Sequence, residues 1–154
     1  MLIKTADTKS IQPYLKKFHS PKADSHKGQN GRVLIIGGSS LFHAASLWAA
    51  EIASYFVDMI HYASTKENSE IFLSLKKKFH NGIVVSQKDL WSYVAEDDAI
   101  LVGPGMLRGE SEEARQGKKL VRQLIDKFPD KRFVFDAGAL QTMGVSWLQQ
   151  LKQP

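Results

Sequence analysis

The chain has 154 residues, 43% hydrophobic and 24% charged, as expected of a single globular domain able to bury a sizeable core. No apolar run approaches the roughly 18 to 20 residues of a membrane span, and no secretory leader is legible at Met1–Lys4; with no cysteine, disulfides, thiolate metal sites and a cysteine nucleophile are excluded, and a cytoplasmic location is expected. The formal net charge of +5 falls in short groups (Lys16 and Lys17, Lys76 to Lys78, Lys118 and Lys119), without the aromatic-interleaved strands or zinc-finger spacing of a nucleic-acid reader. It is read as solvated surface, part of it available to anionic nucleotides.

In chain order, Ile11, Tyr14, Leu15 and Phe18 stand at helical spacing over residues 8–18, with Pro13 near the helix start. Residues 20–31 are polar and glycine-containing, a loop leading into a strand. Val33, Leu34, Ile35 and Ile36 form a continuous apolar run, the pattern of a strand buried on both faces of a parallel sheet. Gly37 and Gly38 allow a tight turn, and Ser39 is placed to cap the next helix. Such strand–turn–helix junctions are where open α/β sheets bind ligands, often phosphorylated ones. Residues 41–56 are apolar nearly all round and predict a buried helix. A strand over 57–64, a helix over 70–79 and a short strand over 82–86 follow, then a helical turn containing Leu90, Trp91 and Tyr93.

The next strand, 99–102, ends in a second glycine turn, Gly103-Pro104-Gly105. The clearest helix spans residues 110–128, with Leu120, Val121, Leu124, Ile125 and Phe128 on one face. Its glutamates come early and its cations late, as the helix dipole favours. Residues 132–136, "RFVFD", supply a last strand. This alternation predicts one α/β domain over residues 1–154, a Rossmann-type layered fold with a mostly parallel sheet. Trp48, Trp91 and Trp147 are read as core or interface aromatics, and His43 as more often structural than ligand-facing. His61 and His80 receive no function, and no metal-site spacing is present.

The order "KG…GRVLIIGGS", an Ala-rich helix, "AILVGPG" and "FVFDAGAL" resembles the ATP- or ADP-dependent NAD(P)H-hydrate dehydratases of the ribokinase-like superfamily, also described as carbohydrate kinases. The resemblance covers residues 27–140. It implies a ribokinase-like fold and a repair reaction, in which hydrated NADH or NADPH is dehydrated at the expense of ATP or ADP, with Mg2+ assisting. Phosphorylation would convert the poor hydroxyl leaving group into a good one.

Carried over, the resemblance implies a substrate site at Gly37, Gly38, Ser39, Ala44, Ala45, Gly103, Pro104, Gly105 and Asp136. Five positions depart from the family pattern: His43 stands where a small polar residue is usual, Ala44 replaces Gly, Met106-Leu107 replaces Leu-Gly, and Gly138 replaces a second Asp. On the residues alone, each glycine turn is equally a plain loop, and Asp136 equally a turn cap. Family members continue with a Thr-Pro-His strand end and a Gly-rich turn carrying the Asp taken as catalytic base. Neither occurs in these 154 residues, which resemble a family N-terminal half without its C-terminal half and with no assigned catalytic residue. The expectation is a dehydratase half needing a complementary C-terminal chain. The alternatives are a non-catalytic nucleotide-binding module, or a small-molecule kinase of the same superfamily. A half-domain is also expected to expose apolar surface and to self-associate or bind that partner.

Overall fold

A computed structural model describes residues 6–18 and 20–153; the leader reading at Met1–Lys4 lies outside them. Five strands form one sheet: β1 (Arg32–Ile36), β2 (Met59–Ala63), β3 (Gly82–Val84), β4 (Ala99–Val102) and β5 (Arg132–Phe135). Their order is β3-β2-β1-β4-β5 and every pairing is parallel. The chain therefore winds outward from β1 in one direction, returns, and winds outward in the other. Ligands of open α/β sheets bind at such a reversal, beyond the carboxyl ends of the strands.

The apolar run of β1 is buried on both faces, as its composition requires. Leu34 and Ile36 belong to one core with Ile100, Val102, Val121, Leu124 and Ile125. Ile35 belongs to the other, with Leu47, Ala50, Ile60, Tyr62 and Phe72. Helices α2 (Ala44–Ala53) and α3 (Lys66–Leu75) cover the second face, while α4 (Leu90–Glu96) and α5 (Glu112–Lys127) cover the first. Helix α1 (Thr8–Leu15) precedes the sheet. Helix α6 (Ala137–Thr142) and a 3-10 turn, Val145–Gln150, follow β5; neither is legible in the hydrophobic pattern. Among the described residues, no helix is long and apolar enough to cross a membrane.

Several boundaries differ from the sequence reading. Helix α3 begins four residues before the predicted 70, because the Thr65 hydroxyl accepts from the Asn68 N–H at 3.3 Å and caps it there. Helix α5 starts behind Ser111, whose hydroxyl accepts from the Ala114 N–H at 3.1 Å. The largest correction concerns the helix expected over 41–56. Only Ala44–Ala53 is helical, and it is not buried all round: Ser46, Leu47 and Ala50 face the sheet, while Trp48 and Ile52 face solvent. An apolar composition on every side marks a second, uncovered face here rather than a core helix.

Candidate functional site at the carboxyl ends of the strands

Three of the four predicted pieces converge. Just past β1, the Gly37 N–H donates to the Ala63 carbonyl at 3.2 Å and the Gly38 N–H to the Pro104 carbonyl at 2.6 Å. Past β4, the Gly103 N–H returns to the Ile36 carbonyl at 3.0 Å. The two glycine turns are thus laced to each other. Past β5, the Asp136 N–H donates to the Val102 carbonyl at 3.0 Å, and the Asp136 carbonyl lies against Gly103. Gly103 has φ +121°, and a side chain there would collide with that carbonyl. Its glycine is therefore required twice over, by conformation and by space.

Two departures from the family pattern meet in space. Gly138 is buried, and a Cβ on it would run into the Met106 carbonyl. The Met106 side chain also reaches Gly117 of α5, where an added Cβ would stand 2.8 Å from Met106 Cε. Met106 thus fills the seam between α5 and α6 and leaves no room for a side chain at position 138.

The loop from Gly38 to His43 is held on two sides. Both carboxylate oxygens of Glu113, in the first turn of α5, bind Ser40: one accepts from its N–H at 2.9 Å, the other from its hydroxyl at 2.6 Å. On the opposite side Asn68, fully buried in α3, donates to the Ser39 carbonyl at 3.1 Å and pairs with His43 Nδ1 at 2.7 Å. His43 is thereby tied to α3. Ser39 does not cap α2: its hydroxyl accepts from the Phe42 N–H at 2.9 Å, closing a turn before the helix begins, and His43 takes the N-cap position. Sequence reasoning missed Glu113 and Asn68. Asn68 carried a signal in the Thr65-x-x-Asn68 cap spacing; Glu113 carried none, since its partner lies 73 residues away.

Below this loop opens a cleft of about 230 Å³. Its floor is Ile36, Ala63, Val85 and Leu90, at the ends of three strands and the start of α4; Ser64, Thr65, Gln87, Glu113 and Gln116 line its polar side. Glu113 is the one charged side chain among the lining residues, and no lysine or arginine is among them. The N–H groups of residues 37–40 are all engaged within the protein. No N–H of the Gly-Gly-Ser turn is therefore free to meet an anion in this arrangement. The cleft suits the uncharged, ring-bearing part of a ligand, held by hydroxyls and amides over an apolar floor.

Of the predicted residues, Gly37 and Gly38 line the cleft, and Gly103, Pro104 and Gly105 support it from behind. Ala44 and Ala45 are exposed on the first turn of α2 and do not line it. Asp136 stands at N-cap of α6 and makes no side-chain cap bond; its carboxylate is exposed and is not among the residues that line the cleft. The next residue, Ala137, has φ +37°, a left-handed conformation costly for a residue with a Cβ and often found where a turn serves a site. Among the described residues, no group of three or more His, Asp or Glu could hold a metal. A divalent cation carried by a phosphate needs only one or two protein carboxylates, and the exposed Asp136 carboxylate would be one such group.

The parallel sheet that reverses at β1 has the fold of known α/β proteins. A ribokinase-like superfamily protein from Enterococcus faecalis superposes with a TM-score of 0.67 at 20% identity, over 89% of this chain and 47% of its own. In sequence the chain resembles the NAD(P)H-hydrate dehydratases over most of its length. It is 34% identical over 122 residues to the ADP-dependent (S)-NAD(P)H-hydrate dehydratase of Lactiplantibacillus plantarum, covering 77% of this chain and 41% of that enzyme. It is 29% identical over 147 residues to the bifunctional NAD(P)H-hydrate repair enzyme Nnr of Methanothermobacter thermautotrophicus, covering 90% of this chain and 28% of that enzyme. The chain thus spans less than half the length of these relatives. No protein-family model matches it.

Proposed function

We propose that this chain forms the substrate-side half of an ATP- or ADP-dependent NAD(P)H-hydrate dehydratase, acting in the cytoplasm on hydrated NADH or NADPH. The observation that supports the reading is the backbone lacing of the Gly37-Gly38, Gly103-Pro104-Gly105 and Asp136 pieces beside a cleft whose floor is apolar and whose lining has no lysine or arginine. Such a cleft takes the hydrated nicotinamide end of the substrate and leaves the phosphates outside. Ser64, Thr65 and Gln116 would hydrogen-bond the ring substituents and orient the hydroxyl that leaves. Asp136 would hold the Mg2+ that accompanies the nucleotide, which neutralises phosphate charge during transfer.

The base expected from the family lies in a Gly-rich segment that none of these residues matches. The activity is therefore proposed for this chain together with a complementary C-terminal segment. That segment would add to β5, one of the two edge strands of the sheet, where Val134 is 58% exposed. The test is to mix the full chain with the C-terminal half of the L. plantarum relative, hydrated NADH, Mg2+ and either ADP or ATP, following the return of NADH absorbance. Turnover by the mixture and by neither half alone is expected. Saturable binding of hydrated NADH without turnover in any mixture would replace this reading with a non-catalytic binding module. Phosphorylation of a sugar or vitamin precursor instead would point to a kinase.

A further inference from the structure

We propose that a groove on the outer flank of α5 is a second binding site, built for the phosphate chain of a small polyanion and blind to any base attached to it. The groove lies between α5 and the segment that follows β5, encloses about 630 Å³ and shares no lining residue with the cleft. That volume falls in the range of small-molecule sites, roughly 300–1,000 Å³. Its α5 wall carries Arg115, Lys118, Lys119 and Arg122, and Glu110 is the one acid in its lining. At about 100° per residue these four cations stand nearly opposite Glu113, Gln116, Gly117 and Leu120, which face the cleft. One helix thus separates a cleft without cations from a groove rich in them.

Three observations point to a phosphate chain. The first is charge left uncompensated. Every i,i+3 and i,i+4 pair among the four residues joins two cations, an arrangement that destabilises a helix. Lys118 and Lys119 form no ion pair among the described residues. A bound polyanion removes that repulsion. The second is preorganisation. Arg115 is held by Glu112 at 3.0 Å, and Arg122 by Asp126 at 2.8 Å and by the Trp147 ring, whose centroid lies 5.2 Å away. Their remaining N–H groups form fixed forks suited to phosphate oxygens, while the two lysines adjust as point charges. Across the groove, Gln141 gives its oxygen to Arg108 at 2.8 Å and keeps its amide N–H groups as donors. The third is reach. Arg115 to Arg122 covers about 10 Å along the helix, the span of a chain of phosphates rather than of a single one. Trp147 packs against the core and lies under the Arg122 guanidinium, so it steadies that cation instead of offering a stacking face to a base. None of these residues takes part in the dehydratase reading, whose cleft has no lysine or arginine in its lining.

The test is isothermal titration calorimetry on the full chain at about 150 mM salt, with inorganic tripolyphosphate, ATP, orthophosphate and adenosine as probes. Saturable binding of tripolyphosphate and ATP at similar affinity is expected, with orthophosphate and adenosine far weaker. In Lys118→Gln/Lys119→Gln the tripolyphosphate affinity should fall roughly tenfold or more, the effect of losing charge-assisted hydrogen bonds. Circular dichroism should be retained, because both side chains are exposed. Lys76→Gln/Lys77→Gln removes the same charge at the end of α3, on the other face of the sheet, and should change that affinity by less than about twofold. Similar binding of both phosphate probes assigns recognition to the phosphates themselves, and tripolyphosphate alone assigns it to an inorganic chain. Absence of saturable tripolyphosphate binding would overturn the proposal. So would binding of ATP without tripolyphosphate, tripolyphosphate binding that survives Lys118→Gln/Lys119→Gln, or equal losses in the two double variants. Binding of hydrated NADH tests the dehydratase reading separately.

Discussion

The two ends of the sheet are built from different materials. At the carboxyl end the chain turns on glycines whose backbones bond one another, only the loop after them is braced by the side chains of Glu113 and Asn68, and a cleft remains between β1, β2 and α5. At the amino end the joints are side chains. Asp58, half-buried, accepts from the Gly28 N–H at 2.9 Å, the Asn30 N–H at 3.1 Å and the Asn30 amide at 3.0 Å. These bonds, the Asn30 backbone first, hold its carboxyl below the ordinary value of 3.8. Asp98 accepts from the Arg32 N–H at 2.9 Å. His61 Nδ1 meets both oxygens of Asp97 at 2.7 and 2.8 Å, with both side chains fully buried beside Tyr93. The basic, Gly-rich lead-in before β1 belongs to this end; it is a structural loop closed on Asp58, far from the cleft. One end thus stores stability in polar anchors, and the other keeps close-approaching backbone and open space for a ligand.

That division can be broken one residue at a time. His61→Leu leaves the Asp97 carboxylate buried without its partner and should cost about 3–5 kcal/mol. Urea unfolding would show it as a lower midpoint, while NADH-hydrate binding by the folded fraction stays unchanged. Equal losses in stability and affinity would instead couple the two ends. Gly103→Ala should cost about 1–3 kcal/mol from its backbone conformation alone, and should also abolish ligand binding, since Asp136 must move. Glu113→Ala frees Ser40 and should cost about 1 kcal/mol, the net worth of such hydrogen bonds at a half-exposed site. Its clearer signature would be faster amide exchange across residues 38–43, with no change at the amino end. The smallest effect concerns pH. Because the folded Asp58 carboxyl lies below its unfolded value, its contribution is full above about pH 4 and fades as pH falls further. Thermal melts of Asp58→Asn should lose less stability between neutral and acid pH than those of the native chain.

Legibility differed between these regions for physical reasons. The five strands and the α5 stripe were readable because each is a local apolar pattern with one dominant period. The glycine turns were visible as turns, but their mutual contact was not, because it depends on β1 and β4 being neighbours although 62 residues lie between Ile36 and Ala99. The clamp on Ser40 could not be read at all, since nothing in a lone Glu113 distinguishes it from its neighbour Glu112, whose carboxylate bonds Arg115 and Gln116 on the surface. Helix α2 misled for the opposite reason: a strong apolar pattern records that a face avoids water, not which molecule covers it.

Local order along the chain therefore determined the α/β class, the parallel strands and the resemblance to the dehydratases, since hydrophobic period and turn chemistry act over a few residues. Tertiary structure alone decided what the turns do. It used the Gly-Gly-Ser N–H groups internally, set Gly138 against Met106, left Ala44 and Ala45 outside the cleft and turned Trp48 to solvent. Those outcomes depend on which distant segments meet when the sheet assembles, and a sequence read residue by residue does not contain that neighbourhood.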